Sequence, residues 1–187
     1  MSDLTPELVV RLLRGRLGQP YRFVPACPST QRELGDEEAE GTTVATDHQT
    51  QGRGRLGRVW QDTPGRALLF SVMLRPTVEM ARWPELSLVA GAAVAAAVGA
   101  GAEVAHPNDV MIGGRKVAGV LPEATAGRVV LGIGMNVNQT EDELPRDAVK
   151  TPTSLRVELG REVERAPLLA AVLAELERRY DAWSGVS

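Results

Sequence analysis

The second half of the chain contains the pattern that decides the fold, residues 104–138, VAHPNDVMIGGRKVAGVLPEATAGRVVLGIGMNVN. Short apolar runs alternate here with turn residues, which predicts four strands, over 104–106, 110–112, 116–123 and 128–138. The Gly113-Gly114 pair between two apolar runs is typical of a two-residue hairpin turn. Thr125-Ala126-Gly127 predicts a second turn. This stretch therefore predicts a meander of neighbouring strands.

The elements before and after this meander are helices and single strands. Apolar spacing predicts three helices, over 5–15, 83–99 and 166–183. Strands are predicted over 21–24, 42–46 and 67–74, and a further helix, capped by Ser29 or Thr30, over 30–39. The acidic, proline-containing stretch 139–153 predicts a surface loop. A sheet built largely from hairpins with helices on one side indicates an α+β domain.

Composition narrows the class of protein further. The 187 residues are 43% hydrophobic and 24% charged, as in a globular protein of one domain. A formal net charge of −3 argues against a general nucleic-acid-binding surface, and a single cysteine excludes an intramolecular disulfide. The longest apolar stretch, 86–102, is shorter than the roughly 20 residues of a membrane span, and no targeting signal is visible. We therefore expect no membrane partner and a cytoplasmic location.

Residues 52–58 read GRGRLGR and lie in a locally basic window. The glycines disfavour a helix, so a loop with exposed N–H groups and guanidinium forks is predicted, which suits a phosphate or an adenylate. A solvated basic loop without a ligand, or a single RGG-like RNA-binding segment, would also fit. Trp60, two residues beyond, is either a core tryptophan or a platform for a base.

Three further segments offer candidate functional groups. Pro107-Asn108-Asp109 supplies oxygen ligands that suit Mg²⁺, although the same triplet favours an ordinary turn. The chain has nineteen arginines but two lysines, Lys116 and Lys150. Period-2 alternation predicts that Lys116, Ala118 and Val120 share a face of their strand. The lysine would then either lie across a cavity or occupy an edge strand, where it discourages aggregation. Glycines within 132–136 indicate a close approach of backbone or ligand, or a bulge.

Taken in order, these segments resemble the catalytic domain of biotin protein ligases (biotin–acetyl-CoA-carboxylase ligases). The resemblance covers about residues 5–183 and rests on Ser29-Thr30, 47–50, 52–58 with Trp60, 107–109, 115–123, 132–138 and 153–155. It implies a mixed, largely antiparallel sheet flanked by helices, as in the biotin/lipoate ligase catalytic domain. It also implies a two-step reaction: ATP converts biotin to biotinoyl-5′-AMP, and a lysine of a biotin carboxyl carrier protein then accepts the biotinoyl group.

The resemblance also implies roles for individual residues. The catalytic residues would be Lys116, Arg53 and Arg55. Biotin would be bound by Ser29, Thr30, Gln31, Gln49, Gly52, Arg53, Gly54, Arg55, Lys116, Gly119 and Gly132. The nucleotide would be bound by Arg55, Arg58, Trp60, Asn108, Lys116 and Asn136, and Mg²⁺ by Asp109. The glycine-rich loop would order over the intermediate and exclude water.

Two departures from the family pattern qualify these expectations. The chain has Ala105-His106 where the family usually has Lys-Trp before Pro-Asn-Asp. It also shows neither the family's small C-terminal barrel nor the helix-turn-helix of repressor-type members, so we expect a single catalytic domain over 1–187 that binds no nucleic acid. A homodimer fits the family. The alternatives are a biotin- or adenylate-binding relative of reduced activity and a lipoate ligase-like enzyme. We also expect Lys116→Ala to reduce adenylation much more than Lys150→Ala.

Overall fold

The centre of the molecule is a mixed sheet. The computed structural model describes residues 2–125 and 127–185, which form seven strands. Their bounds are β1 Tyr21–Val24, β2 Thr43–Thr46, β3 Ala67–Leu74, β4 Glu103–Ala105, β5 Asp109–Ile112, β6 Arg115–Thr125 and β7 Arg128–Asn136. The strand order is β1-β2-β3-β7-β6-β5-β4; β1 and β2 pair in parallel and the other neighbours are antiparallel. The predicted fold class is confirmed.

Helices cover one face of this sheet. The α-helices are α1 Pro6–Val9, α2 Leu86–Val98, α3 Leu155–Leu159 and α4 Arg165–Ser184. Alanines of α2 pack beside leucines of α4 on apolar side chains of β3, β6 and β7, and together they form the main core. Within 2–125 and 127–185, no helix has both the length and the apolar character needed to cross a bilayer.

The hairpins of the meander form where the sequence predicts them. Gly113 and Gly114 have φ of 55° and 77°, the left-handed values that a tight two-residue turn requires, and Ile112 pairs with Arg115 across it. Thr125 pairs with Arg128 at the next turn. Ala126 of that predicted turn lies outside the described residues.

Tertiary contacts overrule several predicted helices. The predicted helix over 30–39 is wrong: only Thr30–Glu33 form a 3-10 turn, and Leu34 is already extended. The Thr30 hydroxyl bonds to Ser71 instead of capping a helix. The N-terminal helix ends at 12 rather than 15, with a 3-10 last turn. Sequence reasoning missed α3, which Ser154 caps by accepting a hydrogen bond from the Val157 N–H.

A β-bulge sets the direction of Lys116. Met111 pairs with Lys116 but Val110 pairs with Ala118, so Val117 is an extra residue on β6. Val117, Ala118 and Val120 all lie in the helix-covered core, whereas a Cβ on Gly119 would meet the Lys116 Nζ at 3.4 Å. The prediction that Lys116 shares a face with Ala118 and Val120 is therefore wrong. The bulge turns Lys116 to the open face of the sheet, beside Gly119.

Candidate active site

A cavity of about 360 Å³ lies on the sheet face opposite α2 and α4. This volume is in the range of small-molecule sites. Among the residues that line it are fifteen selected from the sequence: Ser29, Thr30, Gln31, Gln49, Arg53, Gly54, Arg55, Arg58, Trp60, Asn108, Asp109, Lys116, Gly119, Gly132 and Asn136. The fold thus brings together side chains that lie more than 100 positions apart in the chain.

Gly52 is the one selected residue that does not line this cavity. Its carbonyl accepts a hydrogen bond of 3.0 Å from the Trp60 N–H. A Cβ at Gly52 would lie 2.3 Å from the Trp60 carbonyl oxygen, a distance that real contacts do not reach. The glycine therefore permits the close approach of two backbone segments at the base of the arginine loop, residues 52–58.

Two glycines of β7 form the floor of the cavity. Residues 132, 134 and 136 lie on the same face of the strand, because every second residue of a strand points to the same side. A Cβ at Gly132 would lie 2.9 Å from Cδ of Gln31, and one at Gly134 would lie 2.8 Å from Cε2 of Trp60. Glycine is required at both positions because a polar side chain and an aromatic ring lie directly against the strand.

The end of the cavity near Gly132 is lined by uncharged hydrogen-bonding groups. Gln31 Nε2 donates to the carbonyls of Leu121 (3.0 Å) and Val130 (3.3 Å). Gln49 Oε1 accepts from the Thr30 N–H at 2.8 Å, and the Thr30 hydroxyl lies 2.7 Å from that of Ser71. Internal hydrogen bonds thus fix these side chains before a ligand arrives.

The arginine loop folds back on itself beside the cavity. Gly54 N–H donates to the Arg58 carbonyl at 2.8 Å, and the Arg58 N–H donates to that of Arg55 at 3.2 Å. Leu56 at its tip is 86% exposed. Arg53 forms a two-pronged ion pair with Glu123, at 2.6 and 2.9 Å. Arg55 and Arg58 form no salt bridge with any residue that the structure describes, so their charges can receive an anion.

Both lysines of the chain meet on the carboxylate of Asp109. Lys116 Nζ lies 2.7 Å from Oδ1 and Lys150 Nζ lies 2.6 Å from Oδ2. Burial of Asp109 opposes its ionisation, but the hydrogen bonds and charges of the two lysines outweigh burial and lower the pKa of this carboxyl below 3.8.

The two ion pairs of Asp109 affect the expectation that this residue binds Mg²⁺. Mg²⁺ needs carboxylate oxygens that can face the ion, whereas each oxygen of Asp109 is bonded to an ammonium group. Nor does the described part of the chain hold a group of three or more His, Cys, Asp or Glu side chains placed to bind a metal. While both ammonium groups are in place, Asp109 therefore presents no unpaired oxygen to a magnesium ion.

The segment 139–153, predicted as a surface loop, contributes a wall of the cavity instead. Pro145, Asp147, Ala148, Val149, Lys150 and Pro152 line it. The segment is held there because the Lys116 N–H donates to the Thr151 carbonyl and the Thr153 N–H donates to the Lys116 carbonyl, both at 2.8 Å. Sequence reasoning missed Lys150 as a site residue, although its rarity in this chain was a usable signal.

The remaining predicted nucleotide contacts differ in what they offer a ligand. Trp60 has its ring centroid 5.6 Å from the Lys116 Nζ, and its buried Nε1 has no partner among the described residues. Asn136, in contrast, donates to the Thr153 carbonyl (3.0 Å) and accepts from Gln139 (3.1 Å). Asn108 donates to the Val120 carbonyl at 2.8 Å. The two asparagines therefore fix the backbone around the cavity.

Comparison with known proteins identifies the family. The model of the biotin/lipoate A/B protein ligase family matches residues 25–139, more than half of the chain. The chain belongs to this ligase family. A curated relative, the biotin–[acetyl-CoA-carboxylase] ligase of Mycobacterium tuberculosis, is 35% identical over 96% of this chain and 73% of its own length.

Other ligases of the family agree in sequence and in fold. The bifunctional ligase/repressor BirA of Bacillus spizizenii is 37% identical over 88% of this chain and 54% of its own length. The chain thus spans about half the length of such relatives. The biotin protein ligase of Aquifex aeolicus, solved with biotin and ATP, superposes with a TM-score of 0.80 at 32% identity, over 89% of this chain and 72% of that one.

Proposed function

We propose that the protein is a biotin–protein ligase, which activates biotin with ATP and transfers it to a lysine of a biotin carboxyl carrier protein. One observation carries the proposal: a single cavity joins uncharged hydrogen-bonding groups near Gly132 to a group of positive charges around Lys116. Such a cavity suits a ligand with a neutral polar head and an anionic end. The family and the names of its characterised members support this assignment.

In the first step, an oxygen of the biotin carboxylate attacks the α-phosphorus of ATP. The bond from that phosphorus to the bridging oxygen breaks, and pyrophosphate leaves with the electron pair. Two anions must meet for this reaction, so fixed cations are needed where negative charge develops. Lys116, Arg55 and Arg58 are the cations that we assign to this role, because all three line the cavity. Arg53 also lines the cavity and is a further candidate for this role; like Lys116 it is paired with a carboxylate, that of Glu123.

In the second step, the amine of the carrier lysine attacks the acyl carbon of biotinoyl-5′-AMP. An amide forms, AMP leaves, and the amine loses a proton. Water would hydrolyse the mixed anhydride, so the site must exclude it. The arginine loop and the segment 145–152 border the cavity and are suited to cover the intermediate.

The remaining expectations extend the same proposal. The magnesium ion would enter bound to the phosphates of ATP, as is usual for Mg²⁺ in nucleotide sites. The described residues would form the catalytic domain, the reaction would take place in the cytoplasm, and the protein would be a homodimer.

The alternative function is binding of biotin or adenylate with reduced activity. Ala105 and His106 motivate it, because they stand where the family usually has Lys-Trp. His106 lies outside this cavity, in a second groove of about 450 Å³ that Arg55 also lines. Incubation with biotin and MgATP separates the two functions. A ligase should form biotinoyl-5′-AMP and pyrophosphate in equal amounts and should then label an added carrier domain. Tight biotin binding without adenylate would favour the alternative, and preference for lipoate in competition would indicate a lipoate ligase-like enzyme.

A further inference from the structure

Lys150 and Lys116 are brought together although 33 residues separate them in the sequence. The backbone of Lys116 pairs with that of the 151–153 segment through two hydrogen bonds of 2.8 Å, which form a short parallel bridge to Pro152. Lys150 directly precedes this bridge. Its ammonium group therefore reaches the same carboxylate as that of Lys116.

The charges in this cluster do not balance. Among the described residues, Asp109, whose side chain is 9% exposed, is the carboxylate that both ammonium groups contact, and it neutralises one of them. Asp147 also lines the cavity but forms no salt bridge with either lysine. Arg55 and Arg58, on the same cavity, have no salt bridge within the described residues. A phosphate group supplies the missing negative charge and several acceptor oxygens at once.

The choice of residue type is consistent with this role. The chain uses arginine for nineteen of its twenty-one basic positions. A lysine is a compact point charge with three rotatable donors, so it can move from a carboxylate to a phosphate within a confined space. The side chain of Lys150 is 38% exposed, which leaves it free to do so.

We propose that Lys150 is a second phosphate-binding residue of this cavity, which acts beside Lys116 and is held by Asp109 until an anion arrives. The proposal rests on the proposed function for the identity of the anion, a nucleotide phosphate or pyrophosphate. It assigns phosphate binding to a lysine of the 139–153 segment, which the sequence pattern predicts as a surface loop.

The test measures the binding of inorganic pyrophosphate and of biotin by calorimetry, at low and high salt, in Lys150→Ala and Lys150→Arg. Arg146→Ala is the matched control, because Arg146 belongs to the same segment and carries the same charge. Its side chain is 86% exposed and its nearest carboxylate, that of Asp142, is 3.8 Å away. Thermal unfolding of each variant reports on the fold.

We expect Lys150→Ala to weaken pyrophosphate binding about tenfold and to reduce its salt dependence. Biotin affinity should stay unchanged, and the unfolding midpoint should fall only slightly because Asp109 keeps its pair with Lys116. Lys150→Arg should keep part of the pyrophosphate affinity because it keeps the charge, and Arg146→Ala should match the wild type. Unchanged pyrophosphate binding in Lys150→Ala, an equal loss in Arg146→Ala, or no binding by the wild type would overturn the proposal.

Two further outcomes are informative. If biotin affinity, pyrophosphate affinity and the unfolding midpoint all fell together in Lys150→Ala, Lys150 would only brace the segment, and the proposal would be overturned. If the wild type made no biotinoyl-5′-AMP but pyrophosphate binding still depended on Lys150, the proposed function would fail while this inference would stand.

Discussion

At the scale of single residues, the orientation of Lys116 depends on one extra residue in its strand. The bulge at Val117 separates Lys116 from the core-facing side chains that follow it and places its ammonium group 2.7 Å from Asp109. A conventional pairing of β5 and β6 would have left Lys116 on the helix-covered face. The direction of this side chain follows from the register of two strands, which strand alternation alone does not reveal.

The first prediction concerns Lys116→Ala. If Lys116 stabilises the charge that develops at the α-phosphate, its loss should lower kcat for adenylation about 100-fold or more, which is typical for loss of one preorganised group. Lys150→Ala should reduce adenylation less, mainly through a higher KM for ATP. Arg146→Ala should leave the rate of adenylation unchanged. Pyrophosphate release measures all three. Equal kcat values in Lys116→Ala and Arg146→Ala would remove Lys116 from the proposed chemistry.

The second prediction concerns the stability that Asp109 provides. The pKa of Asp109 is lower in the folded state than its ordinary value of 3.8. The stability that the ionised carboxylate provides is therefore fully present above pH 3.8 and is lost as the pH falls through the folded-state pKa. Asp109→Asn leaves two ammonium groups without their carboxylate and should destabilise the fold by about 1–2 kcal/mol at pH 7. Urea unfolding from pH 7 to pH 3 should show this difference shrinking below about pH 4. A difference that is independent of pH would contradict the assignment.

At the scale of elements, the alternating face of β7 separates the two ends of the cavity. Gly132 contacts Gln31, Gly134 contacts Trp60, and Asn136 is bonded to the 139–153 segment. Two of these positions admit no Cβ without displacing the side chain above them. The strand therefore forms the floor of the cavity, with the neutral end above Gly132 and the charged end towards Asn136.

The third prediction uses this spacing. Gly132→Ala should displace Gln31 and raise the KM for biotin about tenfold, whereas Gly134→Ala should displace Trp60 and raise the KM for ATP by a similar factor. Gly35→Ala is the control, because a Cβ there meets no heavy atom within 4 Å. Steady-state kinetics with each substrate varied in turn gives the answer. If both variants changed the same KM, the division of the cavity that we propose would be wrong.

Elements with strong local signals could be predicted from the sequence. Gly113-Gly114 forms its tight turn, and β3 has the predicted bounds, Ala67–Leu74. The helix expected over 30–39 failed because the Thr30 hydroxyl and the Gln31 amide bond to distant strands rather than to their own backbone. Such long-range hydrogen bonds override local propensity and leave no periodic trace in the sequence.

At the scale of the whole molecule, motifs that are weak one by one form one cavity when the sheet assembles. The family resemblance carried by these motifs indicated fifteen of its lining residues in advance. Lys150 could not be placed, because its position depends on the backbone bonds between Lys116 and the 151–153 segment, which join distant parts of the chain. Gly52 was selected with its neighbours but supports the loop through its backbone.

The most direct test of the central claim is mass spectrometry of the purified protein after incubation with biotin and MgATP, together with a measurement of released pyrophosphate. A biotin–protein ligase should yield a bound species with the mass of biotinoyl-5′-AMP and one equivalent of pyrophosphate, both strongly reduced in Lys116→Ala. Biotin bound without adenylate and without pyrophosphate, in wild type and variant alike, would contradict that claim.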